Sequence, residues 1–140
     1  MKIVGLDLGS KTLGVAISDI SLTLATKLAT INFASQNYQD AIQKLKQLLA
    51  NEEVRLFVLG LPKNMDGSLG FQAQTSVVFK EMLIKEFDKE VVLWDERLTS
   101  KMAESVMIQA NLSRKKRKTK IDYVAATIIL QSYLDSRKRD

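Results

Sequence analysis

The chain has no cysteine and no histidine, one proline among 140 residues, and aromatic side chains at only 6%. The first two absences exclude the most chemistry. Disulfides, thiolate catalysis, zinc fingers and Ser-His or Cys-His nucleophile pairs are all ruled out. Polar chemistry is left to carboxylate, Lys, Ser/Thr and Tyr, and carboxylates without imidazole or thiolate suit the hard cations Mg²⁺ or Mn²⁺. No apolar run approaches the roughly 20 residues needed to span a bilayer, and no basic segment or cleavage site precedes the first strand-like run, so a cytoplasmic protein is expected.

What is present suits one well-packed core. At 46% hydrophobic, residues 1–140 are long enough for a single domain and too short for two ordinary ones. The net charge of +5 is concentrated near the end. From Leu112 to Asp140 nine Lys/Arg stand against three Asp, a local +6, which leaves the first 111 residues at −1. The densest part, Arg114, Lys115, Lys116, Arg117, Lys118 and Lys120, reads as a basic loop and as an electrostatic footprint for a phosphate backbone. No apolar residue interleaves Arg114 to Lys118, which disfavours a membrane surface.

Periodicity gives the order of elements. Lys2 to Asp19, KIVGLDLGSKTLGVAISD, reads as two apolar strands joined through Gly9-Ser10-Lys11-Thr12, and Lys27 to Phe33 as a third strand. A helix from about Tyr38 to Asn51 follows, then a strand buried on both faces, Arg55 to Gly60. The turn-rich loop Leu61 to Gly70 leads into a helix over Phe71 to Phe87, a strand over Glu90 to Trp94, a helix over Lys101 to Ala110, and a last helix over Ile121 to Ser136. Hairpins followed by strand-helix alternation predict an α/β fold with a five-stranded mixed sheet in the order 3-2-1-4-5, flanked by helices.

Three acids ask for an explanation. Asp7 lies inside an apolar strand, where an unpaired carboxylate costs several kcal/mol, on the order of a domain's net stability. Asp95-Glu96-Arg97 follows the fifth strand, at the edge where open α/β sheets carry their sites. Adjacent residues in an extended segment face opposite ways, so one of Asp95 and Glu96 faces a shared site, and the residues alone do not choose. Asp122 falls in the first turn expected for the last helix, where the macrodipole alone would account for an acid. Taken together, carboxylates on separate elements suit a phosphodiester nuclease working through one or two Mg²⁺ ions.

GLDLGSKTLGVAISD, GLPKNMDGSLG, WDERLTS and KIDYVAATIILQSYLD resemble, in order and spacing, the motifs of the YqgF (RuvX) family, across essentially the whole chain. The resemblance implies an RNase H-like fold related to the RuvC resolvases, and Asp7, Glu96 and Asp122 as catalytic, metal-binding acids. It implies a nuclease that matures the 5′ end of pre-16S ribosomal RNA, with a Holliday junction resolvase acting on branched DNA as the older name and the alternative. RuvC-type resolvases carry a fourth acid three residues after the helical aspartate, where this chain has Ala125. Other departures are mild: Ser100 stands where Thr is common, and Lys11-Thr12-Leu13 where a basic residue followed by Ile is more usual.

Nucleic acid is the expected partner, with Lys11, Arg97 and the Arg114–Lys120 cluster as its phosphate contacts, and the chain works as a monomer or a homodimer. Lys63, Asn64 and Asp66 are candidates to border the site. Two other classes compete. The glycine-rich hairpin also resembles the first phosphate loop of actin-like ATPases and sugar kinases, which would make the chain a nucleotide-binding module, although those folds use two lobes and 140 residues supply one. A non-catalytic RNA-binding module would leave the acids structural.

Overall fold

The computed structural model describes residues 1–62, 70–95 and 114–137, with side chains in the last segment described from Ala125 onward. Lys63, Asn64, Asp66, Glu96, Arg97 and the helix expected over Lys101 to Ala110 lie outside the described residues.

Among the described residues the elements run in the order β1 (Lys2–Leu8), β2 (Thr12–Ser18), β3 (Ala25–Asn32), α1 (Tyr38–Leu48), β4 (Val54–Leu61), α2 (Phe71–Phe87), β5 (Glu90–Asp95) and α3 (Arg114–Arg137). The sheet order is β3-β2-β1-β4-β5, as the element order predicts, with β1 central. Both hairpin pairs are antiparallel, while β1/β4 and β4/β5 are parallel, because each of those connections passes through other elements before returning.

The two faces of the sheet are covered differently. Val4 and Leu6 of β1, Leu13 and Val15 of β2, and Phe57 and Leu59 of β4 join Ala41, Ile42 and Leu45 of α1 and Phe79 and Leu83 of α2 in the larger core. The alternate residues, Ile3, Ala16, Leu56 and Val58, pack under Ala126, Ile129, Leu130 and Leu134 of α3. Those helix positions are spaced by three and four residues, so they form one stripe. A Cβ at Gly5 would stand 2.6 Å from the Leu130 Cβ and 3.0 Å from the Ala126 carbonyl oxygen. Glycine there lets the helix backbone lie nearly on the sheet.

Local chemistry fixes the connections. Asn37 caps α1 by accepting from the Asp40 N–H at 3.2 Å. Helix α1 ends at Leu48, three residues earlier than the apolar pattern suggests, where the chain turns through Ala50 and Asn51. In the β2–β3 connection, Asp19 Oδ1 accepts from the N–H groups of Thr23 (2.8 Å) and Leu24 (3.2 Å), and Ser21 Oγ donates to Oδ2 at 2.9 Å. The Thr23 N–H foremost, with that of Leu24 and the Ser21 hydroxyl, holds the Asp19 carboxyl below the usual aspartate range against the opposing effect of desolvation. Gln131 of α3 clips the same turn, accepting from Ala25 N–H at 2.9 Å and donating to the Thr23 carbonyl at 3.0 Å.

One element differs substantially from expectation. Arg114 to Lys120 is not a loop but the first two turns of α3, which starts seven residues before the expected Ile121. Lys and Arg are strong helix formers, and neither Gly nor Pro interrupts 114–137, so propensity continues the helix where apolar periodicity has stopped. Asp122 is therefore the ninth helical residue rather than a first-turn acid. The macrodipole effect fades within the first turn, so it no longer accounts for a carboxylate at that position. Among the described residues no helix is long and apolar enough to cross a membrane.

Candidate active site at the carboxyl edge of the sheet

Asp7 is the next-to-last residue of the central strand. Pleating puts Ile3, Gly5 and Asp7 on the α3 face and Val4, Leu6 and Leu8 on the other. Its antiparallel partner is Gly14. A Cβ on Gly14 would lie 3.7 Å from the Asp7 Cβ and 3.4 Å from the Ala126 Cβ, which fixes all three on one face. On the other side, the pairs Gly5–Val58 and Leu6–Leu59, continued by one step, bring Gly60 level with Asp7. Neither neighbouring strand thus places a side chain beside the carboxylate. Asp7 is half-buried, and among the described residues its carboxylate has no hydrogen-bond or ion-pair partner.

Helix α3 passes over this region with defined polarity. Leu130 and Ala126 lie against Gly5, and Ala126 also lies against Gly14, so moving back along the helix is moving toward the carboxyl end of β1. One turn before Ala126, on the same stripe, is position 122. The Asp122 side chain, like those of Arg114, Lys115, Lys116, Arg117, Lys118 and Lys120, lies outside the described residues.

Strand β5 resolves half of the Asp95/Glu96 alternative. Asp95 pairs with Leu61 and shares its face of β5 with Val91 and Leu93, both of which pack in the α1/α2 core. Asp95 therefore faces away from Asp7. Trp94 is on the α3 face, its ring 5.5 Å from that of Tyr133 at 88° and its Nε1–H donating to Ser132 Oγ at 3.1 Å. This contact anchors the end of β5 to α3.

Lys11 is exposed in the turn between β1 and β2, where its carbonyl accepts from Phe33 N–H at 2.9 Å. Among the described residues its ammonium has no anionic partner. No group of three or more acids able to hold a metal occurs among the described residues. Of the three candidate acids, only Asp7 has a described side chain.

The glycine at position 14, which the sequence pattern marks only as part of the hairpin, is the residue that leaves the space beside Asp7 open. The second acid of the motif, Asp19, belongs to turn construction at the opposite end of β2.

Comparison with known proteins agrees with this architecture. A protein of Thermoanaerobacter pseudethanolicus with the provisional name pre-16S rRNA nuclease is 50% identical over 139 residues, covering 99% of both chains. Thermus thermophilus RuvC, solved with a Holliday junction substrate, superposes with a TM-score of 0.61 at 14% identity, over 99% of this chain and 96% of that one. A Thermus thermophilus ROK hexokinase matches at a TM-score of 0.50 and 18% identity, over 74% of this chain but 38% of its own. The kinase likeness is thus one of fold and covers less than half of the larger protein. The model of the family described as RuvX, Holliday junction resolvase, matches residues 1–136. With nearly the whole chain inside that match and half of its residues shared with a full-length relative, the protein belongs to the RuvX family.

Proposed function

We propose that the chain is a divalent-metal-dependent nuclease whose acids are Asp7, Glu96 and Asp122, and that it processes the 5′ end of pre-16S ribosomal RNA. The observation that carries this reading is Asp7 itself. A half-buried carboxylate on the central strand, with glycine across from it and no partner among the described residues, costs stability that a structural acid would not. The donor set fits a hard cation, since it is all carboxylate oxygen.

Asp7 supplies the fixed ligand, because a central strand paired on both sides cannot shift easily. Glu96 follows Asp95 in the chain, and Asp122 belongs to α3 one turn before Ala126; both would join Asp7 as ligands in this reading. A bound Mg²⁺ or Mn²⁺ would supply a water of lowered pKa and neutralise charge on the phosphate. Lys11, Arg97 and the basic turns of α3 hold the nucleic-acid backbone without reading its sequence. The cytoplasm is the compartment that such a substrate requires.

The name carried by the relatives favours RNA over junction DNA, as does Ala125 at the place where resolvases carry a fourth acid. The test offers a 16S precursor end and a four-way junction side by side with Mg²⁺ or Mn²⁺. Cleavage of the precursor is expected, falling by at least about 100-fold in Asp7→Asn. Undiminished cleavage by that variant would refute the carboxylate mechanism, and preferential cutting of the junction would reverse the choice of substrate.

A further inference from the structure

Leu8, the residue after Asp7, lies on the opposite face of the sheet, where it lines a separate cavity of about 80 Å³. The walls are Ser10, Gln36, Tyr38, Phe71 and Gln72. At roughly 10–15 Å³ per water by the same measure, this space holds several waters, enough for a planar ring of nucleobase size.

Its chemistry is distinctive in two ways. Among the described residues no charged side chain lines it, although the chain as a whole is basic. The Ser10 and Tyr38 hydroxyls and the Gln36 and Gln72 amides have no hydrogen-bond partners among the described residues, so they offer donors and acceptors to a neutral ligand. Phe71, one of the lining residues, is 74% exposed, which leaves its ring accessible for stacking. Tyr38, another lining residue, is held by ring contacts at 5.7 Å from Phe33 and 6.2 Å from Phe79. Gln36 holds a left-handed φ of 63°, and its N–H donates to the Ser10 carbonyl at 3.0 Å, which ties this wall to the Gly9-Ser10 turn.

We infer that this cavity is a subsite for one unpaired nucleobase, stacked on Phe71 and hydrogen-bonded by the neutral polar wall. The inference rests on the nuclease reading and deepens it. A strand whose phosphate lies at Asp7 needs only to cross the Gly9-Ser10 turn to bring a neighbouring base over Leu8. Aromatic stacking plus amide and hydroxyl edges is how unpaired bases are recognised, whereas a phosphate would call for cations. The substrate is thereby a single-stranded stretch next to the cleavage point, and the base at one position affects binding.

The test uses short single-stranded oligonucleotides, as RNA and as DNA, with 2-aminopurine or an abasic unit moved one position at a time. Binding is followed by fluorescence without metal, so that no cleavage is needed. In wild type, one position should show quenching, and loss of the base there should weaken binding. Phe71→Ala should abolish the quench and weaken binding roughly 5- to 150-fold, while Phe71→Tyr restores both. Equal binding by Phe71→Ala, with no position special, would overturn the subsite. A quench seen only in RNA or only in DNA identifies the natural strand. If the quench is present while no nucleic acid is ever cleaved with Mg²⁺ or Mn²⁺, the nuclease reading fails and the subsite stands.

Discussion

The two faces of the sheet are built on opposite principles, although they share the same backbone. On the α1/α2 face, Val4, Leu6 and Phe57 meet large side chains and exclude water, and the Phe57 ring lies 4.9 Å from that of Phe87. On the α3 face, Gly5, Gly14, Ala16 and Ala126 let the helix approach closely, and the space they leave at the carboxyl end contains Asp7. One face stores stability, and the other spends some of it to hold an acid. The alternation of β1 is what makes both possible in a single strand, since each step of the chain changes faces.

That division can be broken from either side. The largest expected effect is on the packed face: Phe57→Ala should destabilise the fold by about 3–5 kcal/mol, read as a drop in the chemical-denaturation midpoint, while activity per folded molecule is kept. Asp7→Asn is its mirror image. The activity loss should come with an unchanged or raised Tm, because the variant removes an unpaired half-buried charge; a marked fall in Tm would mean that Asp7 is structural. Gly5→Ala comes next, at about 1–3 kcal/mol, since its Cβ would meet backbone-anchored atoms of α3 rather than a flexible tip. A smaller loss with normal activity would show that α3 can lift without disturbing the acids.

The smallest effect belongs to Asp19. Its carboxyl lies below the ordinary aspartate value of 3.8, so the stability it adds is present above that value and is lost as the pH falls through the lower, folded one. Asp19→Asn should therefore lower the Tm slightly at neutral pH, and the gap from wild type should close on acidification below about 3.8. A gap that persists in acid would show that the carboxylate charge is not what supports the turn.

Much of the framework was legible in the chain. Hairpin turns and right-handed crossovers leave few ways to arrange five strands, so order 3-2-1-4-5 followed from the order of elements. The bounds of α2 were readable to the residue, because turn signals end at Gly70 and its apolar spacing stops at Phe87. The start of α3 was not. Apolar periodicity marks where a helix meets the core, and the basic residues 114–120 carry no such mark although they extend the same helix.

The sequence by itself determined the chemistry available: carboxylates without histidine or cysteine, a dense basic segment over residues 114–120, and an acid on the strand destined for the centre of the sheet. Only the tertiary structure decided that Asp95 turns away from Asp7, that Gly14 leaves the carboxylate open, and that Leu8 lines a cavity one residue from the acid with no charged side chain among its described lining residues. The reason is physical. Composition and local pattern state which groups a chain owns, but strand register and the angle of a covering helix determine which groups share a face, and those are set by contacts between residues far apart in sequence.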